Sequence, residues 1–177
     1  HGAVSGRAGF RRGNHHRGAD GNRDGQWHEQ QHCRNSYGVN VTGNGSSITS
    51  NGGAVSVTGL GGGSTAAIQN FGVLVDAAGA ISSGGTGSVT VAGTGRNTGG
   101  SGSQNIGVFV TGSNARITSS GGNVSVTGTG GGGTSSTSNY GVIVASNGQL
   151  SATGAGTLTI NATGGTGTGG TNHGLFV

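Results

Sequence analysis

The amino-acid sequence predicts an all-β fold, a parallel β-solenoid (β-helix) in which each coil takes about 34 residues and contributes three short strands. Three observations lead to this prediction. The hexapeptides "SYGVNV", "NFGVLV", "NIGVFV", "NYGVIV" and "NHGLFV" recur, and the intervals between their glycines are 34, 35, 34 and 33 residues. Apolar and polar residues alternate between clusters of Gly and Asn, a pattern typical of short strands. No segment shows the periodicity of an amphipathic helix.

The composition argues against an ordinary globular domain. Of 177 residues 45 are glycine, and there is no proline. Glycine loses the most backbone entropy on folding, so a conventional core is not expected at this content. A flexible Gly/Ser/Thr linker is the alternative interpretation. Linkers do not keep apolar residues in register over successive repeats, and the regular valines therefore favour a repeat protein.

The first strand of each coil contains the recurring hexapeptide, and the second follows it closely. Stacking of coils predicts one inward column from the first strand: Val39, Val73, Val108, Val142 and Leu175. Nine or ten residues after each glycine comes a second apolar position, which is followed by Thr or Ser: Ile48, Ile81, Ile117 and Leu150. These residues predict the second column, because a single coil cannot bury its inward residues alone.

The third strand of each coil carries two apolar residues in alternation and leads into a Gly/Ser/Thr-rich connection. The pairs are Val55/Val57, Val89/Val91, Val124/Val126 and Leu158/Ile160. Successive coils should hydrogen-bond to one another at a spacing of about 4.8 Å. We expect Gly and Asn at the corners, where the backbone needs positive φ.

The repeats resemble those of large bacterial surface proteins, the filamentous-haemagglutinin-like adhesins and autotransporter passengers. The blocks "NYGVIV", "ITSSGGNVSVTGTGGGG" and "GTLTINATGGTGTGG" carry the resemblance, which covers about Ser36 to Val177. It implies a secreted, elongated stalk at the bacterial cell surface, associated with the outer membrane, that displays or adheres. The resemblance supplies no catalytic residues.

The outer face of the first strand has an unexpected character. If Val39 and Val41 point inward, alternation sends residue 40 and its equivalents outward. These are Asn40, Leu74, Phe109, Ile143 and Phe176. We expect the Gly/Ser/Thr connection to fold over this stripe. The alternative is an interaction surface for a ligand or for lateral self-association.

The N-terminal segment 1–35 differs from the repeats. It contains six of the eight arginines and five of the six histidines. We expect an irregular Arg/His/Gly-rich arm, followed by a solenoid over 36–177 that is a fragment open at both ends. The net charge of +4 comes from this arm. The repeats have no basic face, so nucleic acid is not an expected partner.

The stretch "WHEQQHC" contains His28-Glu29-Gln30-Gln31-His32, which matches the zinc-protease pattern H-E-x-x-H. That pattern requires a helix to place both histidines on one face. Gly25 lies just upstream, and no apolar stripe accompanies the motif. We therefore expect no catalytic metal. His28, His32 and Cys33, with His15 and His16 nearby, are candidates only for weak, adventitious metal binding.

One hypothesis explains why the arm departs from the period. Reading its codons one nucleotide later forces Trp27 before histidine to become Gly. The residues Glu29, Gln30 and Gln31 each become Asn or Ser, and His28 becomes Thr or Met. The result resembles a repeat coil, whereas the other shifted frame does not. On this hypothesis the arm is an out-of-frame translation of a preceding coil, with the frame restored near residue 35.

Function is expected to be non-catalytic. The repeats contain one acid, Asp76, and one histidine, His173, so paired carboxylates or a nucleophilic triad are not expected. We expect no cofactor and no membrane span. A structural or adhesive surface segment is favoured, with adjoining coils of the parent protein as its partners. The alternative is a threonine array that binds an ordered surface such as ice or polysaccharide. Thr58, Thr90 and Thr127 are its candidate column, and Asn161 interrupts it.

Overall fold

A computed structural model describes residues 34–63, 67–96 and 100–177. Within these ranges the chain forms thirteen strands and no helix. The strands are β1 Arg34–Thr42, β2 Ser47–Ser50, β3 Val55–Leu60, β4 Ile68–Asp76, β5 Ala80–Ser83, β6 Val89–Thr94, β7 Asn105–Thr111, β8 Arg116–Ser119, β9 Val124–Thr129, β10 Val142–Ala145, β11 Gln149–Ala152, β12 Leu158–Thr163 and β13 Leu175–Phe176. The N-terminal arm lies outside the described residues up to residue 33.

The strands form three parallel sheets, and each strand pairs with its counterparts in the neighbouring coils. Sheet A has the order β1-β4-β7-β10-β13, sheet B has β2-β5-β8-β11, and sheet C has β3-β6-β9-β12. All pairings are parallel, as a β-solenoid requires. The predicted fold class, with three strands per coil of about 34 residues, is confirmed.

The predicted columns are also in register. Val39, Val73, Val108, Val142 and Leu175 stand opposite one another in sheet A. Ile48, Ile81, Ile117 and Leu150 do so in sheet B. Together with the valine pairs of sheet C they form one apolar core inside the coils. Val108 and Ile117 in the third coil are fully buried, whereas Leu150 in the next coil is only partly covered.

The glycine of each hexapeptide is explained by a close approach of sheets A and C. A Cβ on Gly107 would overlap the backbone of Thr129 in sheet C and that of Gly141 in the next coil. A Cβ on Gly128 would in turn overlap the backbone of Gly141. Two columns of glycine therefore pack backbone against backbone, which no side chain would permit.

This glycine also breaks the alternation of sheet A. Phe71 and Leu74 both belong to a cluster outside the sheet, although three residues separate them. Between them, Val73 belongs to the core inside the coils. The register correspondingly skips Gly72. The kink thus gives each coil two outward apolar residues, one before the glycine and one after it.

An asparagine ladder begins two positions before each glycine. Asn70, Asn105 and Asn139 are completely buried. The Nδ2 of Asn105 donates to Oδ1 of Asn139 at 2.8 Å, and Nδ2 of Asn139 donates to Oδ1 of Asn172 at 2.8 Å. Each amide also donates to its own connection, as Asn105 does to the carbonyl of Gly102 at 2.8 Å. The ladder satisfies polar groups that burial would otherwise penalise.

The expectation of Gly and Asn at the corners is wrong where the chain enters sheet A. The residue before each ladder position has positive φ in every coil: Asn35, Gln69, Gln104, Ser138 and Thr171. Only one of the five is Asn. Backbone hydrogen bonds between coils hold the others, such as Gln69 N to the Ser103 carbonyl at 3.1 Å and Gln104 N to the Thr137 carbonyl at 3.1 Å. Register between coils thus outweighs local backbone preference here.

Candidate functional site

The outer apolar stripe of sheet A is largely covered in the middle of the solenoid. Leu74 and Ile143 are 7% and 8% exposed, and Phe109 is half-buried. They pack in a cluster separate from the core. Val73 and Val108 lie inside the coils, as alternation predicted, and the stripe residues lie outside. Only Asn40 in the first coil and Phe176 in the last are exposed.

The cover includes side chains that sequence reasoning did not single out. The residues before the kink glycines pack against the stripe: Tyr37, Phe71, Ile106 and Tyr140. Tyr37 stacks on Phe71 with ring centroids 5.3 Å apart, and Phe71 meets Phe109 edge-on at 5.5 Å. The signal was present in the hexapeptides, where an aromatic or apolar residue precedes the glycine in four of five repeats.

The outer face of sheet C is a regular array of hydroxyl groups. Its three columns over four coils are Ser56, Thr90, Ser125 and Thr159; Thr58, Ala92, Thr127 and Asn161; and Leu60, Thr94, Thr129 and Thr163. Nine of these twelve positions are Ser or Thr, and none is charged. The predicted single column of Thr58, Thr90 and Thr127 is wrong, because Ala92 rather than Thr90 stands between Thr58 and Thr127.

The outer face of sheet B carries one hydroxyl column and one cation. Thr49, Ser82, Thr118 and Ser151 are opposite one another in register. Ser82 Oγ donates to Thr49 Oγ1 at 3.1 Å, and the hydroxyls of Thr118 and Ser151 are 3.0 Å apart. Arg116 is exposed at the beginning of β8. The recurrent Thr or Ser after each second-strand Ile or Leu was the signal for this column.

The residues considered for catalysis do not form a site. His28, His32 and Cys33, the candidates for adventitious metal binding, lie outside the described residues. Asp76 accepts a hydrogen bond at Oδ1 from the backbone of Ala77, and His173 lies against Tyr140 with ring centroids 5.9 Å apart. In the part of the chain that the structure describes, no three His, Cys, Asp or Glu side chains are grouped as metal ligands. None of the described segments forms a helix long and apolar enough to cross a membrane.

Comparison with protein-family models, curated protein sequences and solved structures returned no match. The resemblance to filamentous-haemagglutinin-like repeats therefore depends on the repeat pattern and on the solenoid architecture alone. Function must be argued from the surfaces of the coils.

Proposed function

We propose that this chain is a non-catalytic structural and adhesive segment of a secreted bacterial surface protein, displayed outside the cell. The observation that carries the proposal is the continuity of all three sheets from coil to coil. Each added coil extends such a stack by about 4.8 Å and buries the apolar face of the coil beneath it. This is the geometry of a spacer that holds a surface at a distance.

The last coil supports adjoining coils of the parent protein as partners. Leu158, Leu175 and Phe176 are 40%, 45% and 49% exposed. Beside Leu158 and Ile160 lies an apolar depression of about 390 Å³, which also includes Val144 and Leu150. These residues continue the inner columns of the solenoid. A further coil of the same type would cover them and pair with the strand edges beside them.

Surface labelling of producing cells tests the localisation. An antibody raised against the purified chain should label intact, unpermeabilised cells, and external protease should remove the label. A cytoplasmic protein in the same cells provides the control for membrane integrity. Labelling that requires permeabilisation would contradict the proposal.

A second candidate function is adsorption to an ordered surface, and the hydroxyl array of sheet C favours it. Neighbouring positions in a column are about 4.8 Å apart, so the face presents a charge-free lattice of Ser and Thr. Thermal hysteresis of the purified chain tests binding to ice. If the array binds ice, Thr127→Glu should abolish the hysteresis, because it places a strongly hydrated charge in the lattice. No hysteresis in the parent chain would exclude ice as the surface.

A further inference from the structure

A polar depression of about 450 Å³ lies on the outer face of sheet B, and we propose that it binds an acidic oligosaccharide. It crosses three coils and is lined by Thr49, Asn51, Ser82, Arg116, Thr118 and Ser120, among others. The guanidinium of Arg116 would pair with a carboxylate or sulfate, and the hydroxyl column would bind the sugar hydroxyls. The inference rests on the adhesive function proposed above and names the class of ligand.

The hydroxyl column has the geometry to follow a chain of sugar rings. Thr49, Ser82 and Thr118 are successive rungs, spaced about 4.8 Å along the stack. A hydroxyl both donates and accepts hydrogen bonds, as sugar hydroxyls do. Ser82 uses its proton on Thr49, which leaves the proton of Thr49 for a ligand. Backbone register fixes the spacing, so the site is ordered before a ligand binds.

Arg116 supplies the charge that selects an acidic ligand. Its Nη1 donates to the carbonyl of Asn114 at 3.3 Å, a neutral partner. The only acid in the described part of the chain is Asp76, which belongs to sheet A. A second polar depression of about 320 Å³ also includes Arg116, together with Asn44, Ser46 and Asn114. The guanidinium is therefore shared by two polar depressions and can reach an anion in either.

Other classes of ligand fit this surface less well. The lining residues carry hydroxyl, amide and guanidinium groups and no large apolar side chain, so an apolar small molecule has nothing to bury against. Nucleic acid requires several cations along its phosphates, and sheet B offers one. One arginine among hydroxyls matches one acidic group among sugar hydroxyls. The guanidinium can contact that group through two parallel hydrogen bonds.

Titration of the full-length chain with three trisaccharides tests the proposal: trigalacturonate, which carries carboxylates, a sulfated heparin-derived trisaccharide, and neutral maltotriose. Binding is followed by chemical-shift changes at the amides of Ser82, Thr118 and Ser120. We expect at least one acidic trisaccharide to bind and maltotriose to bind about tenfold more weakly or worse, since one charge-assisted contact contributes at least that factor. The arm has the same arginines in every variant, so its contribution is constant.

Arg116→Gln and Arg96→Gln form a matched pair. Both remove one exposed arginine, but Arg96 lies in the connection after β6 and not in the depression. We expect Arg116→Gln to weaken binding about tenfold and Arg96→Gln to leave it unchanged. Thr118→Val should weaken binding without changing the charge. Circular dichroism verifies the fold of each variant, and Arg116→Lys replaces Arg116→Gln if the latter does not fold.

Three outcomes would overturn the inference. They are equal affinity in the two arginine variants, equal affinity for maltotriose and the acidic trisaccharides, and no binding of any trisaccharide at millimolar concentration. The two acidic trisaccharides distinguish a carboxylate ligand from a sulfate ligand. Surface labelling of cells does not depend on any of these results, so a failure of this inference is distinguishable from a failure of the proposed function.

Discussion

At the scale of single residues, the asparagine ladder is the main polar element within the solenoid. Asn105 is fully buried, donates to Asn139 and accepts from Nδ2 of Asn70 at 2.6 Å. We expect Asn105→Ala to lower the free energy of unfolding by about 2 kcal/mol, because buried amide groups on both sides lose partners. Urea denaturation measures the change. Asn161→Ala, on the exposed face of sheet C, is the control and should have little effect.

The first rung of the ladder offers the opposite substitution. Oδ1 of Asn70 is buried and has no hydrogen-bond partner in the described structure. Ser36 occupies the ladder position in the preceding coil. In Ser36→Asn, a new Nδ2 would donate to this oxygen as Asn105 donates to Asn139. We expect stability to rise by about 1 kcal/mol. An unchanged melting temperature would show that Ser36 or solvent already compensates the oxygen.

The sequence predicted the apolar residues of the site better than the polar ones. Valine columns were visible because alternation at a fixed period determines which side chains lie inside. The ladder was missed, although Asn stands before the aromatic or apolar residue in four of five hexapeptides. A buried amide is stable only if its partner is one coil away, and pattern reasoning within one strand does not reveal that contact.

At the scale of elements, the kink glycines set the distance between sheets A and C. A Cβ on Gly107 would overlap backbone atoms of Thr129 and Gly141, which cannot move without disturbing two coils. We expect Gly107→Ala to destabilise the chain by more than about 3 kcal/mol or to prevent folding. Gly170→Ala is the matched control, since a Cβ there meets nothing within 4 Å. Comparable melting temperatures for both variants would contradict the close approach.

The covered stripe gives a second prediction for sheet A. Ile143 is 8% exposed and Phe109 is half-buried, so both contribute to stability through apolar burial. We expect Phe109→Ser combined with Ile143→Ser to lower the free energy of unfolding by about 3 kcal/mol or more, with the oligomeric state unchanged. Calorimetry and light scattering measure the two properties. Normal stability with a lost self-association would instead identify the stripe as an interface.

Register between strands was only partly accessible from the sequence. Turns of different length separate equivalent strands, with four residues between Thr42 and Ser47 but three between Asp76 and Ala80. Thr90 was therefore placed in the wrong column, one position of the alternation away from Thr58 and Thr127. Apolar columns tolerate such counting errors, because valine recurs at every second position. Outward polar columns do not, and their alignment requires the hydrogen-bond register.

At the scale of the whole solenoid, stability should vary along the stack. In a repeat protein it is approximately the sum of coil stabilities and of interfaces between neighbouring coils. The strands β4 to β9 have partners on both sides in the described structure, whereas β2, β3, β11 and β12 have one. The core follows the same gradient, from fully buried Val108 to half-buried Ile160.

Amide hydrogen exchange measures this gradient directly. Opening of an end coil breaks one interface, but opening of the third coil, which contains β7, β8 and β9, requires two interfaces to break. We expect amides of β7 to β9 to exchange at least tenfold more slowly than those of β11 and β12. Val108→Asp, which places an unpaired charge among fully buried valines, should remove this difference by unfolding the third coil and those stacked on it. Uniform protection along the parent chain would mean that the coils unfold as a single cooperative unit, and the Val108→Asp variant would then lose all protection at once.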